Sequence, residues 1–314
     1  MYPRDERREV KTLGILEAIV AHKREELAER RRRAPLEDVR RRAGDAAPPR
    51  AFLGAVQGPP VKLVAEVKGA SPSTGTIRST FDPAEVAGIY AEHGAAAVSV
   101  LTDARFFHGA DEHVTAVRSA VPVPVLRKDF VVDPYQVYEA RALGADAVLL
   151  IVAILEAAAV QDLQGLAAEL GMAALVEVHT EDELQRALPV RPSLLGINNR
   201  NLDTLETTLE TTRRLRPLVP PGIVVVGESG VERRAHMEEM ERIGVDAVLV
   251  GTALMRSADP AALIRELLGL GPERGRVRSG RVEKARMSSP SGVYGPIPDR
   301  RGKCRGDEDE RVEG

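Results

Sequence analysis

The feature that most constrains the fold is a series of eight short apolar runs, each followed by a segment with helical periodicity. The runs start roughly 20 to 35 residues apart, which is the length of one strand, one crossover helix and two loops. Such alternation predicts a parallel sheet, and eight units predict a closed α/β barrel, the (β/α)8 or TIM barrel. A barrel buries both faces of its strands, which explains their near-continuous Val, Leu, Ile and Ala content. The runs are VKLVAEV (61–67), AAAVSVL (95–101), VPVLRKD (123–129), DAVLLIV (146–152), MAALVEV (172–178), LLGIN (194–198), GIVVVGE (222–228) and DAVLVG (246–251).

An open, doubly wound sheet is the main alternative to the barrel. That fold normally carries a glycine-rich dinucleotide-binding turn after its first strand, and the segment EVKGASPSTG does not match that pattern. The helical segments also have regular boundaries. Asp82 and Pro83 begin one helix and Asp133 and Pro134 begin another, and each is followed by a terminating glycine. These boundaries favour the barrel.

The barrel accounts for residues 51–268 as a catalytic domain and leaves a segment on either side. Residues 1–50 are predicted to form a helical extension, with one or two helices between Leu13 and Ala43 and the run AERRRR on a solvated face. Residues 269–314 are rich in Arg, Gly, Ser and Pro and contain few large apolar residues, so we expect a disordered tail.

Composition limits the possible partners. The chain has 44 basic and 47 acidic residues, a formal net charge of -3, so no global field favours nucleic acid or an anionic membrane. The longest apolar stretch is too short to span a bilayer, which needs roughly 20 residues. With one cysteine and no apolar leader, a cytoplasmic monomer or weak homo-oligomer is expected. The six histidines show no metal-ligand spacing, and His179 is expected at the surface or behind the site.

Polar side chains end five of the predicted strands in phase with apolar or small residues on the same face. In a TIM barrel the active site lies at the carboxyl ends of the strands, so these side chains are candidates for it. Each pair of opposite charges, taken singly, is explained equally well as a structural ion pair. Convergence of several charges on one barrel mouth favours a functional site. The polar residues are Glu66 and Lys68, Lys128, Glu177, Asn198 and Arg200, and Glu228.

Two loops and two aromatic residues suggest the ligand. GESGV, with Ser229 and Gly230, and GTALM, with Gly251 and Thr252, follow the seventh and eighth strands. Many barrels bind phosphate with backbone N–H groups at this position. Phe107 and Phe130 lie near strand ends, where they can either pack in the core or border an aromatic ring. A phosphorylated small molecule is therefore the expected substrate.

The motifs, taken together and in order, resemble those of the indole-3-glycerol phosphate synthase family from about Leu13 to Leu268. The motifs are AEVKGASPSTGTI, SVLTDARFFHG, VLRKDFVVDPYQ, LVEVH, GINNRNLDTLE, GESGV and VGTALM. The resemblance implies conversion of 1-(2-carboxyphenylamino)-1-deoxyribulose 5-phosphate to indole-3-glycerol phosphate, a carboxy-lyase reaction of tryptophan biosynthesis that also releases water. It implies no metal and no organic cofactor.

The resemblance also implies roles for the site residues. Lys128 matches the general acid of ring closure, and Glu177 matches the base of dehydration. Lys68 is a candidate for a second acid, although the order in which the lysines act stays open. The other expected roles are tuning of the lysines by Glu66, positioning by Asn198 and Arg200, substrate contacts by Ser71 and Glu228, ring contacts by Phe107 and Phe130, and phosphate contacts by Ser229, Gly230, Gly251 and Thr252.

This sequence departs from the family pattern at a few positions and leaves two alternative functions. Gly69 stands where Lys or Arg is usual, and Thr74 where Lys is frequent. Neither change removes a proposed catalytic group. The alternatives are a related phosphate-binding barrel such as phosphoribosylanthranilate isomerase, and a non-catalytic barrel whose basic tail binds nucleic acid.

Overall fold

The computed structural model describes residues 14–202 and 204–271, and in this part of the chain eight parallel strands close into a barrel. The predicted TIM barrel is confirmed, and each predicted apolar run contains one barrel strand. The predicted disordered tail lies, from residue 272 onward, outside the described residues. The barrel strands are β1 (Lys62–Val67), β4 (Ala97–Leu101), β5 (Val125–Lys128), β6 (Ala147–Ile151), β7 (Ala173–Val178), β8 (Leu194–Asn198), β9 (Val224–Glu228) and β10 (Ala247–Val250), and the loop after β1 holds an antiparallel hairpin of β2 (Ala70–Ser71) and β3 (Gly75–Thr76).

Helices precede the barrel and connect its strands. The predicted N-terminal caps are present, since the Asp82 carboxylate accepts from the N–H of Ala84 and the Asp133 carboxylate accepts from the N–H of Tyr135. Among the described residues, no helix has the length and apolar content needed to cross a bilayer. The helices are α1 (Ile15–Arg33), α2 (Leu36–Asp45), α3 (Phe52–Val56), α4 (Pro83–Glu92), α5 (Ala104–Phe107), α6 (Asp111–Ala120), α7 (Pro134–Ala142), α8 (Ala157–Glu169), α9 (Glu181–Ala187), α10 (Glu210–Leu215), α11 (Arg234–Ile243), α12 (Thr252–Arg256) and α13 (Pro260–Leu267).

Alternation along the strands separates the barrel interior from the layer under the helices. Val64, Leu126, Leu175 and Val226 belong to one buried cluster inside the barrel. Residues of opposite parity, such as Leu63 and Ala65 to either side of Val64, belong to the larger cluster packed against the helices. Side chains that follow the interior residues in phase therefore point into the barrel mouth.

An aspartate precedes two of the strands and closes the amino-terminal end of the barrel. The Asp146 carboxylate accepts from the N–H groups of Arg50 and Val125, at 2.6 and 2.7 Å. The Asp246 carboxylate accepts from the N–H groups of Gly58 and Val225, at 3.1 and 2.9 Å. Both aspartates connect the backbone of a neighbouring strand to the segment that precedes β1. The amino-terminal end of the barrel therefore has a structural role.

Helix α1 is fastened to the opposite, carboxyl-terminal end by a buried lysine. The Lys23 ammonium lies 3.1 Å from an Asp103 oxygen and 3.0 Å from an Asp129 oxygen, and its side chain is 2% exposed. Burial lowers the pKa of Lys23, but the surrounding carboxylates outweigh it and raise the pKa above its usual value. Asp129 adjoins Lys128, so the same ion pairs connect α1 to a candidate site residue.

The arginine run at the end of α1 is only partly on a solvated face. Arg32 and Arg33 are exposed, as predicted. The prediction is wrong for Arg30, which is half-buried and forms ion pairs with Glu26, Asp111 and Glu139. Its acidic partners on α6 and α7 come from distant parts of the chain, so the local pattern of charges did not reveal them.

We expect Lys23→Met to lower the free energy of unfolding by about 3–5 kcal/mol, because it removes the ammonium that the buried carboxylates of Asp103 and Asp129 share. Urea unfolding at neutral pH measures this loss. Lys62→Met is the matched control, since Lys62 begins β1 at the other end of the barrel and is half-buried. Equal effects of the two substitutions would contradict the role given to Lys23.

Candidate active site at the carboxyl ends of the strands

One cavity of about 260 Å³ lies at the carboxyl ends of the barrel strands. Its lining includes all of the residues that the sequence analysis singled out as site candidates. The structure thus brings together side chains that are up to 186 residues apart in the chain, from Glu66 to Thr252. These residues are Glu66, Lys68, Ser71, Phe107, Lys128, Phe130, Glu177, Asn198, Arg200, Glu228, Ser229, Gly230, Gly251 and Thr252.

Lys128 lies between two buried carboxylates at the floor of this cavity. Its Nζ is 3.3 Å from Glu177 Oε2 and 3.4 Å from Glu228 Oε2. The two carboxylate side chains are 2% and 1% exposed, so they have lost nearly all contact with bulk water. A buried charge is costly unless it is paired, which makes the ammonium the group that keeps both carboxylates in place.

The ionisation of the two carboxyl groups differs. Burial raises the pKa of Glu177, but the Lys128 ammonium and the His179 imidazole outweigh it, so the pKa lies well below its ordinary value. Burial and the negative charge of Glu177 both raise the pKa of Glu228 well above its ordinary value, and Lys128 only partly opposes them. The pair therefore combines an ionised Glu177, able to accept a proton, with a Glu228 that favours the neutral form.

The charges around Lys128 also act on Lys128 itself. Burial lowers the pKa of this ammonium, whereas Glu177, Glu228 and Glu66 raise it, and the carboxylates prevail. The net shift is upward, so the group stays cationic over the physiological range. A cation at this position can stabilise a developing negative charge on a bound substrate.

A second ion pair lies in the same cavity, and two glycines leave room for the charged side chains. Lys68 Nζ lies 2.7 Å from Glu66 Oε1. A Cβ atom added at Gly251 would overlap Glu66 Oε1 and lie 3.0 Å from Lys68 Nζ, and one added at Gly196 would overlap Glu228 Oε1. These two glycines are therefore required by the close approach of the charged side chains to the backbone.

The two glycine-containing loops have an unusual backbone conformation and expose a helix N-terminus. Ser229 and Gly230 both have positive φ, at 64° and 88°, a conformation that costs energy at a serine and is often found at functional sites. Asn199 supports this turn, because its side-chain amide donates to the Ser229 carbonyl at 3.1 Å. Gly251 is the N-cap of α12, whose first N–H groups have no acceptor within the helix.

The upper wall of the cavity is apolar and comes partly from α1. The rings of Phe107 and Phe130 lie 6.0 Å apart between centroids. Ile15, Leu16 and Ile19 of α1 also line the cavity. The sequence predicted that helix but gave it no place in the site, since an apolar stripe on a helix indicates burial without saying against what.

Asn198, which ends β8, and Arg200 in the loop that follows also line the cavity. The Asn198 side-chain oxygen accepts from the Arg200 N–H at 3.0 Å, and the Arg200 guanidinium donates to the Leu205 carbonyl at 3.2 Å. Arg200 is thereby held by the loop that follows β8. Ser71 lies on the β2–β3 hairpin, which also lines the cavity, and its hydroxyl is 3.3 Å from that of Ser73.

His179 lies behind the cavity, which is one of the two positions expected for it from the sequence. It is buried rather than at the surface, and its Nε2 lies 3.2 Å from Glu177 Oε1. Its Nδ1 lies 2.9 Å from Glu183 Oε2 on the other side. Burial lowers the pKa of the imidazole, but the two carboxylates outweigh it and raise the pKa to about 10. The sequence contained one indication that His179 lies near Glu177, because side chains two residues apart in extended backbone point to the same face.

The fold and the cavity define an α/β-barrel protein with a cluster of carboxyl and ammonium groups at the carboxyl ends of its strands, next to two glycine-containing loops. A family model described as indole-3-glycerol phosphate synthase matches residues 16–267. The chain is 52% identical over 258 residues to "Indole-3-glycerol phosphate synthase" of Acidithiobacillus ferrooxidans, covering 81% of this chain and 98% of that protein. A namesake from Dehalococcoides mccartyi is 50% identical, with 81% and 100% covered. The chain therefore belongs to the indole-3-glycerol phosphate synthase family, as its motifs indicated.

Solved structures with lower sequence identity share the barrel. A thiamine phosphate pyrophosphorylase from Pyrococcus furiosus superimposes with a TM-score of 0.51 at 19% identity, covering 67% of this chain and 95% of that one. A 3-hexulose-6-phosphate synthase from Salmonella typhimurium gives a TM-score of 0.53 at 15% identity, with 67% and 100% covered. At these identities the likeness concerns the fold alone.

We expect the stabilising effect of His179 to depend on pH. Its pKa is raised on folding from 6.5 to about 10, so the protonated ring stabilises the fold fully below pH 6.5. This stability is lost as the pH rises through about 10. The unfolding free energies of the wild type and His179→Gln, compared from pH 6 to 11, should converge as the pH rises, by at most about 1.4 kcal/mol per pH unit. His236→Gln, on α11, is the control, and a pH-independent difference for His179→Gln would contradict the assignment.

Proposed function

We propose that this chain converts 1-(2-carboxyphenylamino)-1-deoxyribulose 5-phosphate to indole-3-glycerol phosphate, carbon dioxide and water. The observation that carries the proposal is the position of Lys128, 3.3 Å from the Glu177 carboxylate and beside the Lys68–Glu66 pair in one cavity. The reaction needs two protons for the ribulose carbonyl oxygen, one at ring closure and one when that oxygen leaves as water, and a base for one carbon-bound proton. Family membership supports the same assignment.

Ring closure is the step that calls for Lys128. The aromatic carbon that bears the carboxylate attacks the ribulose carbonyl, and negative charge develops on the carbonyl oxygen. The Lys128 ammonium can stabilise this charge and then donate a proton to it, since an alkoxide is more basic than an amine. Loss of carbon dioxide restores the aromatic ring. The walls formed by Phe107 and Phe130 suit the anthranilate ring.

Dehydration calls for Glu177 and a second acid. The Lys128 cation keeps the pKa of Glu177 low, so Glu177 becomes a stronger base once Lys128 has given its proton to the substrate. Glu177 then removes the proton from the carbon next to nitrogen. Lys68, held by Glu66 at 2.7 Å, donates the proton with which hydroxide leaves as water. The two steps thus use the two ammonium groups in turn.

The remaining lining residues suit the binding of the phosphorylated substrate. The turn at Ser229 and Gly230 and the start of α12 at Gly251 offer backbone N–H groups to the phosphate, and the Thr252 hydroxyl adds a donor. Glu228, in its neutral form, and Arg200 can donate hydrogen bonds to the substrate. The hairpin with Ser71 is in place to close over it. A cytoplasmic location, a monomer or weak homo-oligomer and the lack of a nucleic-acid partner stay predictions.

We expect Lys128→Met and Glu177→Gln each to lower kcat by about a hundredfold or more, with a smaller effect on KM, because both remove proton transfer rather than contacts with the phosphate. The measurement is the absorbance of the indole product formed by the purified protein. Lys62→Met and Glu181→Gln, which make the same chemical changes outside the cavity, are the controls. A decrease below threefold for both site variants would show that the roles are wrong.

We expect Gly251→Ala to lower kcat/KM by about tenfold to a hundredfold, because the new methyl group displaces the Glu66–Lys68 pair and narrows the approach to the phosphate. Gly54→Ala on α3 is the matched control, since nothing lies within 4 Å of a Cβ atom added there. Thermal unfolding of both variants checks the fold. Full activity of Gly251→Ala would exclude a role for this close approach.

A further inference from the structure

We propose that Lys23 of α1 is a positioning residue of the reaction, which holds in place the two phenylalanine rings against which the anthranilate ring of the substrate packs. Its ammonium lies between the carboxylates of Asp103 and Asp129, and each carboxylate also accepts from a backbone N–H next to or at one of these phenylalanines. This inference rests on the proposed function, because that substrate supplies the aromatic ring. It gives Lys23 a role in substrate binding besides its role in stability.

The Asp103 carboxylate fixes the short helix that carries Phe107. Asp103 is the N-cap of α5, and its Oδ1 accepts from the N–H of Phe106 at 2.7 Å. Its Oδ2 lies 3.1 Å from Lys23 Nζ, and the side chain is 1% exposed. Among the described residues, Asp103 forms no ion pair with any other cation. The charge of this buried cap is therefore offset by Lys23, and the position of α5 depends on that ammonium.

The Asp129 carboxylate fixes Phe130 at the end of β5 in a similar way. Its Oδ1 lies 3.0 Å from Lys23 Nζ and accepts from the N–H of Phe130 at 2.8 Å. Its Oδ2 accepts from the Thr102 hydroxyl at 2.7 Å and lies 3.3 Å from an Arg127 nitrogen. Removal of Lys23 would thus leave Asp129 with one cation, but it would break the ionic link between the ends of β4 and β5.

The two carboxylates would repel each other without the ammonium. Both lie within 3.1 Å of one nitrogen atom and both side chains are 1% exposed, so little water screens their charges. The repulsion would act on the segments that carry Phe107 and Phe130, whose ring centroids are 6.0 Å apart. A shift of these segments changes the aromatic wall of the cavity, and with it the fit of the anthranilate ring.

The helix that carries Lys23 completes the same wall. Ile15 and Ile19 precede Lys23 by eight and four residues, so the three side chains share one face of α1. Both isoleucines line the cavity, whereas Lys23 does not. Lys23 therefore acts on the substrate only through the residues that it holds, which is the reason to call it a positioning residue rather than a catalytic one.

Arg30 offers a comparison with a purely structural anchor of α1. It lies on the same helix and forms ion pairs with Asp111 of α6 and Glu139 of α7. Its ion pairs involve neither of the carboxylates behind the phenylalanine rings. Loss of either cation weakens the attachment of α1, but only loss of Lys23 disturbs Asp103 and Asp129. Substitutions at the two positions therefore separate the two roles.

The test compares two inhibitors of the purified protein. One is the substrate with its carbonyl reduced to an alcohol, which keeps the aromatic ring and the phosphate but cannot react. The other is inorganic phosphate. For Lys23→Met we expect the inhibition constant of the reduced substrate to rise about tenfold or more and that of phosphate to change less than about twofold, because only the aromatic wall is disturbed. For Arg30→Met both constants should stay within about threefold of the wild type.

A double variant checks that the charge of Lys23 is the property that matters, and it serves also if Lys23→Met fails to fold. In Lys23→Met/Asp103→Asn, asparagine keeps the cap of α5, and Asp129 keeps Arg127 but has lost its negative neighbour. We expect this variant to fold and to bind the reduced substrate within about threefold of the wild type. Circular dichroism at the assay temperature checks that each compared sample is folded.

Four results would overturn the proposal. They are equal weakening of both inhibitors by Lys23→Met, normal binding of the reduced substrate by that variant, an equally large effect of Arg30→Met, and a double variant that does not recover. In each of these cases an active wild type leaves the proposed function standing. A wild-type protein that forms no indole product from the substrate would instead overturn the proposed function, and the inference with it.

Discussion

The Lys128 ammonium, held between the buried carboxylates of Glu177 and Glu228, is the interaction on which the site depends. Two buried carboxyl groups next to an ammonium are tolerated only when the positions of all three groups are fixed closely enough for the cation to offset the negative charge. The barrel meets this requirement because the three residues come from strands β5, β7 and β9, whose hydrogen-bonded register leaves little freedom. A flexible loop could not hold the same charges at this cost.

The strand end that carries Lys128 belongs to two ionic networks at once. Lys128 faces the cavity, whereas Arg127 faces outward and lies 2.8 Å from Asp111 and 2.7 Å from Glu139. Asp129, the next residue, binds Lys23 of α1. Because side chains alternate along the strand, Arg127 and Asp129, which form structural ion pairs, directly flank Lys128. The N-terminal helix and the outer helices consequently restrain the strand end that carries the ammonium.

Much of the fold and of the site could be predicted from the sequence, because both follow from short-range periodicity. Eight apolar runs predicted the eight strands, and strand alternation placed Glu66, Glu177 and Glu228 on the interior face. The position of a site at the carboxyl ends is a property of the fold, so residues at those ends could be named without coordinates. His179 could have been included on the same ground, since it shares a face with Glu177.

The contacts that sequence reasoning missed join segments that are remote in the chain. Lys23 meets Asp129 and Arg30 meets Asp111, and neither pair leaves a periodic trace in the sequence. The wall that α1 contributes to the cavity could not be predicted either. The pattern of an amphipathic helix shows that one face is buried, but not which surface that face covers. A second cavity, which His179 lines, exists only where the ends of β7 and β8 meet the segments that follow them.

The sequence by itself determined the barrel, the inward direction of the charged side chains and the loops suited to an anion, since each depends on neighbours a few residues apart. Only the tertiary structure decided which charges pair, which carboxyl group keeps its proton and which histidine reaches Glu177. These properties depend on distances of 3.2 to 3.4 Å between charged side-chain atoms and on the exclusion of water, and both arise only when the barrel closes.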